Sequence, residues 1–234
     1  MSTAAPVATS LRARAYESFR QQILEANIRP GQFISQRELV QLLDMPLGAV
    51  RELIPRLEAE GLLRTVPQRG LQIAHVDLAL IHNAFQLRLL LEREAAARFC
   101  ASVSDADLDA IERAHRRIVE RASKGPVDAA LLTDAQTVDW GLHDLMIDAL
   151  GNALISETYR VNSLRVRLIR LERAMLSEDA LLPAMEEHLW FIEALKHRDE
   201  AQVVRRLSHH IESAHRRVLG LPRPQRPEPT EESH

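Results

Sequence analysis

Between residues 77 and 219, apolar residues recur at helical spacing in one segment after another, and this run constrains the fold more than any other feature. The segments 78–101, 105–122, 128–150, 152–177, 181–197 and 199–219 are separated at Gly125-Pro126, Gly151-Asn152, Pro183 and Arg198-Asp199. Asp77 stands where an N-cap belongs. A strand alternates with period two and cannot sustain this pattern, so the region is predicted to be an all-α bundle of six or seven helices. The composition agrees. Only eight glycines and 4% aromatics are present, and Leu, Ala, Arg and Glu favour helix over strand.

Composition also removes several classes of function. With 46% hydrophobic and 27% charged residues the chain is globular rather than disordered. No stretch approaches the ~20 apolar residues of a membrane span, and the start MSTAAPVATS lacks a basic-then-apolar signal pattern. The single cysteine, Cys100, rules out an internal disulfide framework and a cysteine-based zinc finger. The expected compartment is the cytoplasm.

Upstream of the helical run the pattern changes. Residues 11–27 predict an amphipathic helix with Phe19, Ile23 and Leu24 inward, ended by a Pro30-Gly31 turn. Ser35 with Glu38 three residues on forms a capping box that starts a second helix, QRELVQLL. After Asp44-Met45-Pro46 a third helix runs to Gly61, and Pro55 inside it predicts a kink or weakening. LLRTVPQRGLQIAHV then reads as two short strands around Pro67-Gln68-Arg69-Gly70, a hairpin. Helix, helix-turn-helix and hairpin in this order is the layout of a winged helix-turn-helix domain, here 11–76. An all-helical domain fills 77–221, and the proline-rich ends 1–10 and 222–234 are expected to be disordered. Residues 11–75 carry nine arginines against seven acidic residues, +2, while the remainder holds −5 of the overall −3. A slightly basic first third on an acidic body permits a nucleic-acid module there.

Several histidines fall at telling places. Asp139 and His143 are four apart, so both project from one helix face, which Met146 and Leu150 continue as the buried side. His188 and His210 each lie 11 residues from Asp199, at the turn between the last two helices. In an antiparallel helix hairpin, residues equidistant from the turn meet at one height. His210 shares a stripe with Val203, Leu207 and Ala214; His209 falls with Gln202, Arg206, Ser213 and Arg216 and is expected to be solvated. His75, His82, His115, His197, His215 and His234 show no convergence and are expected at the surface. Three neutral imidazoles and one carboxylate suit one divalent Zn, Ni, Fe, Mn or Co ion per chain and leave positions open for a ligand. The competing reading is a set of buried histidines satisfied by hydrogen bonds.

PGQFISQRELVQLL, AVRELIPRLEAEGLL and PQRG resemble the winged-helix signature of GntR-type bacterial transcription regulators. RLLLE, DWGLH, GNALI and EHLWFIEAL, in this order, resemble the FCD ligand-binding domain of their FadR subfamily. The resemblance spans about residues 11–220. It implies a cytoplasmic, homodimeric regulator, more often a repressor, that binds a palindromic operator on the nucleoid and answers to a small carboxylate effector. It implies metal ligands at Asp139, His143, His188 and His210, and an effector-facing Arg88. In segment 152–177, Leu154, Ile155, Thr158, Asn162, Arg165 and Ile169 share a stripe; Asn162 and Arg165 on it are expected to face the effector, because an unpaired buried polar group is costly. Simple salt bridges or inter-helix hydrogen bonds are the alternatives for Arg88, Asn162 and Arg165. The resemblance also implies DNA contacts from Arg37, Arg51 and Arg69-Gly70. The start of the reading helix departs from the family's V-S-R-T-P-V-R-E: Met45-Pro46-Leu47-Gly48-Ala49-Val50-Arg51-Glu52 puts Leu47 and Gly48 where an arginine and a hydroxyl usually stand. A metal-dependent enzyme with a regulatory N-terminal domain is the other function class compatible with an open metal site. An all-α interaction module is a third. No nucleophile motif and no glycine-rich phosphate loop supports the enzyme.

Overall fold

The computed structural model describes residues 10–172 and 178–226; most of the two tails, and the end of the segment 152–177, lie outside the described residues. Contacts divide the chain into two units: one runs to Leu78 and adds Ser163–Glu172, and the other comprises Ala79–Asn162 and the chain from Arg173 on.

The N-terminal unit contains α1 (Leu11–Leu24), β1 (Phe33–Ile34), α2 (Gln36–Leu43), α3 (Leu47–Ala59), β2 (Leu63–Val66) and β3 (Gly70–Ile73). The capping box is present: Ser35 Oγ accepts from the Glu38 amide at 3.1 Å, and Glu38 accepts from the Ser35 amide at 2.7 Å. Pro55 does not end α3, which continues to Ala59. Pro55 and Arg51, the residue whose carbonyl the missing N–H would have met, are both exposed. The hairpin forms, and the two residues of β1 add a third strand in the order β1-β3-β2 that the sequence reading did not foresee. Gly70 is required by the backbone. Its φ is +91°, and a Cβ there would stand 3.1 Å from the Ile34 carbonyl oxygen. Phe19, Ile23, Leu39, Leu53, Leu57 and Leu71 form the core.

The C-terminal unit holds α4 (Leu78–Ser102), α5 (Asp105–Lys124), α6 (Ala129–Asp148), the first part of α7 (Ala153–Glu172), α8 (Glu178–Lys196) and α9 (Glu200–Val218). These are the six expected helices among the described residues, with ends shifted by a few residues; Pro183 does not act as a break, because α8 begins at Glu178 and runs through it. Helix α7 is divided. From Ser163 it belongs to the N-terminal unit, whose core includes Leu164 and Leu168. Its buried face also differs from the predicted stripe. Tyr159 is buried, whereas Leu154 is 75% exposed and Thr158 is exposed. No helix among the described residues is long and apolar enough to cross a membrane.

Candidate functional site

Helix α6 supplies Asp139 and His143 one turn apart, α8 supplies His188 and α9 supplies His210, and all four are buried. One donor atom from each lies within 4.8 Å of the others. His188 Nε2 is 3.1 Å from His210 Nε2 and 3.4 Å from an Asp139 carboxylate oxygen. Asp199, whose side chain accepts from the Gln202 amide at 2.9 Å, starts α9 and puts the two imidazoles level.

What surrounds the rings decides what they can bind. His210 Nδ1 is 3.0 Å from Glu187 Oε2, and Arg217 backs that carboxylate at 3.3 Å. His143 Nδ1 lies 2.7 Å from Glu92 Oε2, close but not aligned as a hydrogen bond. A guanidinium can only donate, so Arg88, 2.8 Å from His143 Nε2, marks that nitrogen as carrying the lone pair. His188 Nδ1 meets His115 Nε2 at 3.0 Å. Burial, followed by the neighbouring His210 for His188 and His143 for His210, pushes both residues well below the ordinary histidine range, so both rings are neutral. With His188 Nδ1 protonated toward His115 and His210 Nδ1 toward Glu187, the two rings face each other across 3.1 Å with Nε2 lone pairs, beside a carboxylate. Unrelieved, that arrangement is repulsive, and a divalent cation relieves it. The donor set therefore fits a metal ion.

Arg88 is buried and pairs with Glu92, its Nε donating to Oε1 at 2.6 Å; the Tyr159 hydroxyl donates to the same oxygen at 2.8 Å. Burial works against the Glu92 charge, but Arg88 and His143 outweigh it and hold the carboxyl below the usual carboxylate range. Arg88 thus makes the simple salt bridge and also reaches the histidine cluster. Asn162 donates to the Ala84 carbonyl at 2.9 Å, an inter-helix bond. Arg165 donates to the Glu60 carbonyl at 2.6 Å within the N-terminal unit, so the structure does not bring it to the histidines.

Two histidines correct the sequence reading. His115 is 1% exposed and touches His188, where a surface residue was expected. Position 115 lies four from Ile111 and three from Ile118 on α5, a spacing that could have revealed it. His209 is 8% exposed rather than solvated: its ring meets Trp190 edge-on at 5.6 Å, because α9 is buried over a wider arc than one stripe. Glu92 was foreseen only as the i,i+4 partner of Arg88, which it is; Glu187 and Tyr159 were missed, since a buried polar residue resembles a surface one in sequence.

In the N-terminal unit Arg37, Leu47, Gly48, Arg51 and Arg69 are exposed. Leu47 and Gly48 begin α3, whose N-cap Pro46 makes no side-chain cap, and a Cβ at Gly48 would meet nothing within 4 Å. Arg69 lies in the turn of the wing with its guanidinium 3.8 Å above the Phe33 ring.

A helix-turn-helix with a wing, carried with a separate helical unit, is the construction of a two-domain DNA-binding transcription regulator. The chain belongs to the bacterial regulatory proteins of the gntR family, whose profile matches residues 11–73, with an FCD domain over residues 83–213. It is 24% identical over 200 residues to the HTH-type transcriptional repressor RspR of Escherichia coli (strain K12), covering 84% of each chain. It is 26% identical over 209 residues to the HTH-type transcriptional regulator BphR of Paraburkholderia xenovorans, covering 88% of this chain and 84% of that one. Among solved structures, E. coli McbR/YncC shares the fold with a TM-score of 0.76 at 16% identity over 90% of this chain and 98% of that one. A GntR regulator from Rhodococcus sp. RHA1 gives 0.69 at 20% identity, over 91% of this chain and 99% of that one. These matches identify a transcription regulator and not an enzyme.

Proposed function

We propose that this regulator is a homodimeric repressor whose affinity for a palindromic operator is set by a small carboxylate bound at one divalent metal ion per chain. The observation that carries the reading is the buried convergence of His188 and His210 Nε2 beside Asp139. Asp139, His143, His188 and His210 would hold the ion, which would supply open coordination positions for a carboxylate oxygen. Arg88 stands beside the cluster as the cation for the remaining oxygen. The repressor sense is supported by the name of RspR. Metal analysis of the purified chain, with a carboxylate screen by thermal stabilisation, tests the reading. An effector at a hundredfold its dissociation constant should stabilise by ~2.7 kcal/mol, and the gain should vanish with a chelator.

Arg88 separates binding of the anion from binding of the metal. Alanine there would strand the buried Glu92 charge, so Arg88→Lys is the informative change: it keeps the charge and loses the planar fork. Metal content should be retained while calorimetry shows carboxylate binding weakened by about 1.5–3 kcal/mol, as for a hydrogen bond to a charged group. Unchanged affinity would return Arg88 to an ion-pair role alone.

On the DNA side, α3 is the reading helix, Arg37, Arg51 and Arg69 contact DNA, and Gly70 serves the wing's backbone. Leu47 offers a base edge only apolar contact, such as to a thymine methyl, so the base preference should differ from that of relatives with arginine there. Arg51→Ala should cost about 1–3 kcal/mol at one operator position if it reads a base, whereas loss of a phosphate contact weakens all sequences alike. Selection of genomic fragments followed by footprinting decides between these, and no enriched palindrome at low salt would sink the operator reading.

A further inference from the structure

The geometry points to His115 as a positioning residue for the metal centre: by accepting the His188 Nδ1 proton it holds His188 in the tautomer whose Nε2 lone pair faces His210 and Asp139. This rests on the metal reading above. With His188 Nε2 left free to bind an ion, the chain of atoms admits one arrangement of neutral rings. The Ile111 carbonyl, 2.8 Å from His115 Nδ1, can only accept, so His115 carries its proton on Nδ1 and its Nε2 is bare. That bare nitrogen stands 3.0 Å from His188 Nδ1, which must therefore carry the proton. His188 Nε2 is then the free donor, 3.1 Å from His210 Nε2 and 3.4 Å from Asp139. The opposite tautomer of His188 would set two lone pairs against each other at a site where both rings are 1% exposed and no water can intervene.

His115 is unlike the groups behind the other two rings. Glu92 and Glu187 are carboxylates, whereas His188 is backed by a neutral imidazole fixed to the backbone of α5. A neutral acceptor orients the ring without adding a negative charge beside the ion.

Two measurements on the full chain test this. Long-range ¹H–¹⁵N correlation of the imidazole nitrogens should show His188 protonated on Nδ1, and His115→Phe, a ring without an acceptor, should abolish that preference. Zinc affinity, read by competition with a chelator, should fall about 10- to 100-fold in His115→Phe. His115→Gln, whose amide oxygen can still accept from His188, should recover most of it. Melting curves of the metal-free variants control for folding. Equal loss in both variants, or loss in neither, would make His115 a packing residue and overturn the proposal. Protonation of wild-type His188 on Nε2 would overturn it even if zinc binds tightly. Protonation on Nδ1 in a chain that binds no zinc would overturn the metal reading while upholding the placement of the ring by His115.

Discussion

Replacing His210 by alanine is expected to strip the chain of bound divalent metal and to lower its melting temperature. His210 contributes one of the two Nε2 atoms that meet at 3.1 Å. For an ion present at a thousandfold its dissociation constant, lost ligation removes about 4 kcal/mol by mass action. At about 2–4 °C per kcal/mol for a chain of this size, the melting temperature falls roughly 8–16 °C. His209→Ala is the matched control. It loses the Trp190 contact, and hence some packing, but should keep its metal. Elemental analysis and melting curves with and without chelator read both quantities. If the two variants lose metal alike, the ion is not held where the lone pairs converge.

Glu92→Gln should be the most damaging change to the metal-free fold. Glu92 is fully buried, and its carboxylate answers Arg88 at 2.6 Å, the Tyr159 hydroxyl at 2.8 Å and the edge of His143 at 2.7 Å. Gln fills the same volume but leaves the Arg88 charge buried and unpaired, a loss of about 3–5 kcal/mol. The urea midpoint should drop accordingly with an unchanged slope. Removing both charges, as in Arg88→Met with Glu92→Leu, should restore most of the stability, since apolar residues of similar volume often replace a buried pair without cost. A Glu92→Gln chain within about 1 kcal/mol of wild type, the ordinary effect of a point mutation, would contradict the buried ion pair.

The elements of the fold were largely legible because they are set by local patterns. The capping box at Ser35 and Glu38, the turn at Pro67–Gly70 and the helical periodicity after Asp77 are each written within a few residues of sequence. Even His188 and His210 could be paired from their equal distance to Asp199, because a helix hairpin turns sequence spacing into height. The missed features share one cause. Strand β1, two residues long, exists only because β3 offers it a partner, and Pro55 stays in α3 because its face meets water.

What the sequence by itself determined was a winged helix-turn-helix followed by a helical bundle, and the convergence of Asp139, His143, His188 and His210 as one cluster. Only the tertiary structure decided which groups stand behind those side chains and which predicted partners do not. It put Glu92, Glu187 and His115 on the far nitrogens of the three rings, carried Arg165 to the Glu60 carbonyl, and turned Tyr159 inward onto Glu92. Periodicity tells which side of a helix is apolar, but the partner of a buried polar group is chosen by another helix many residues away, and no local pattern records that choice.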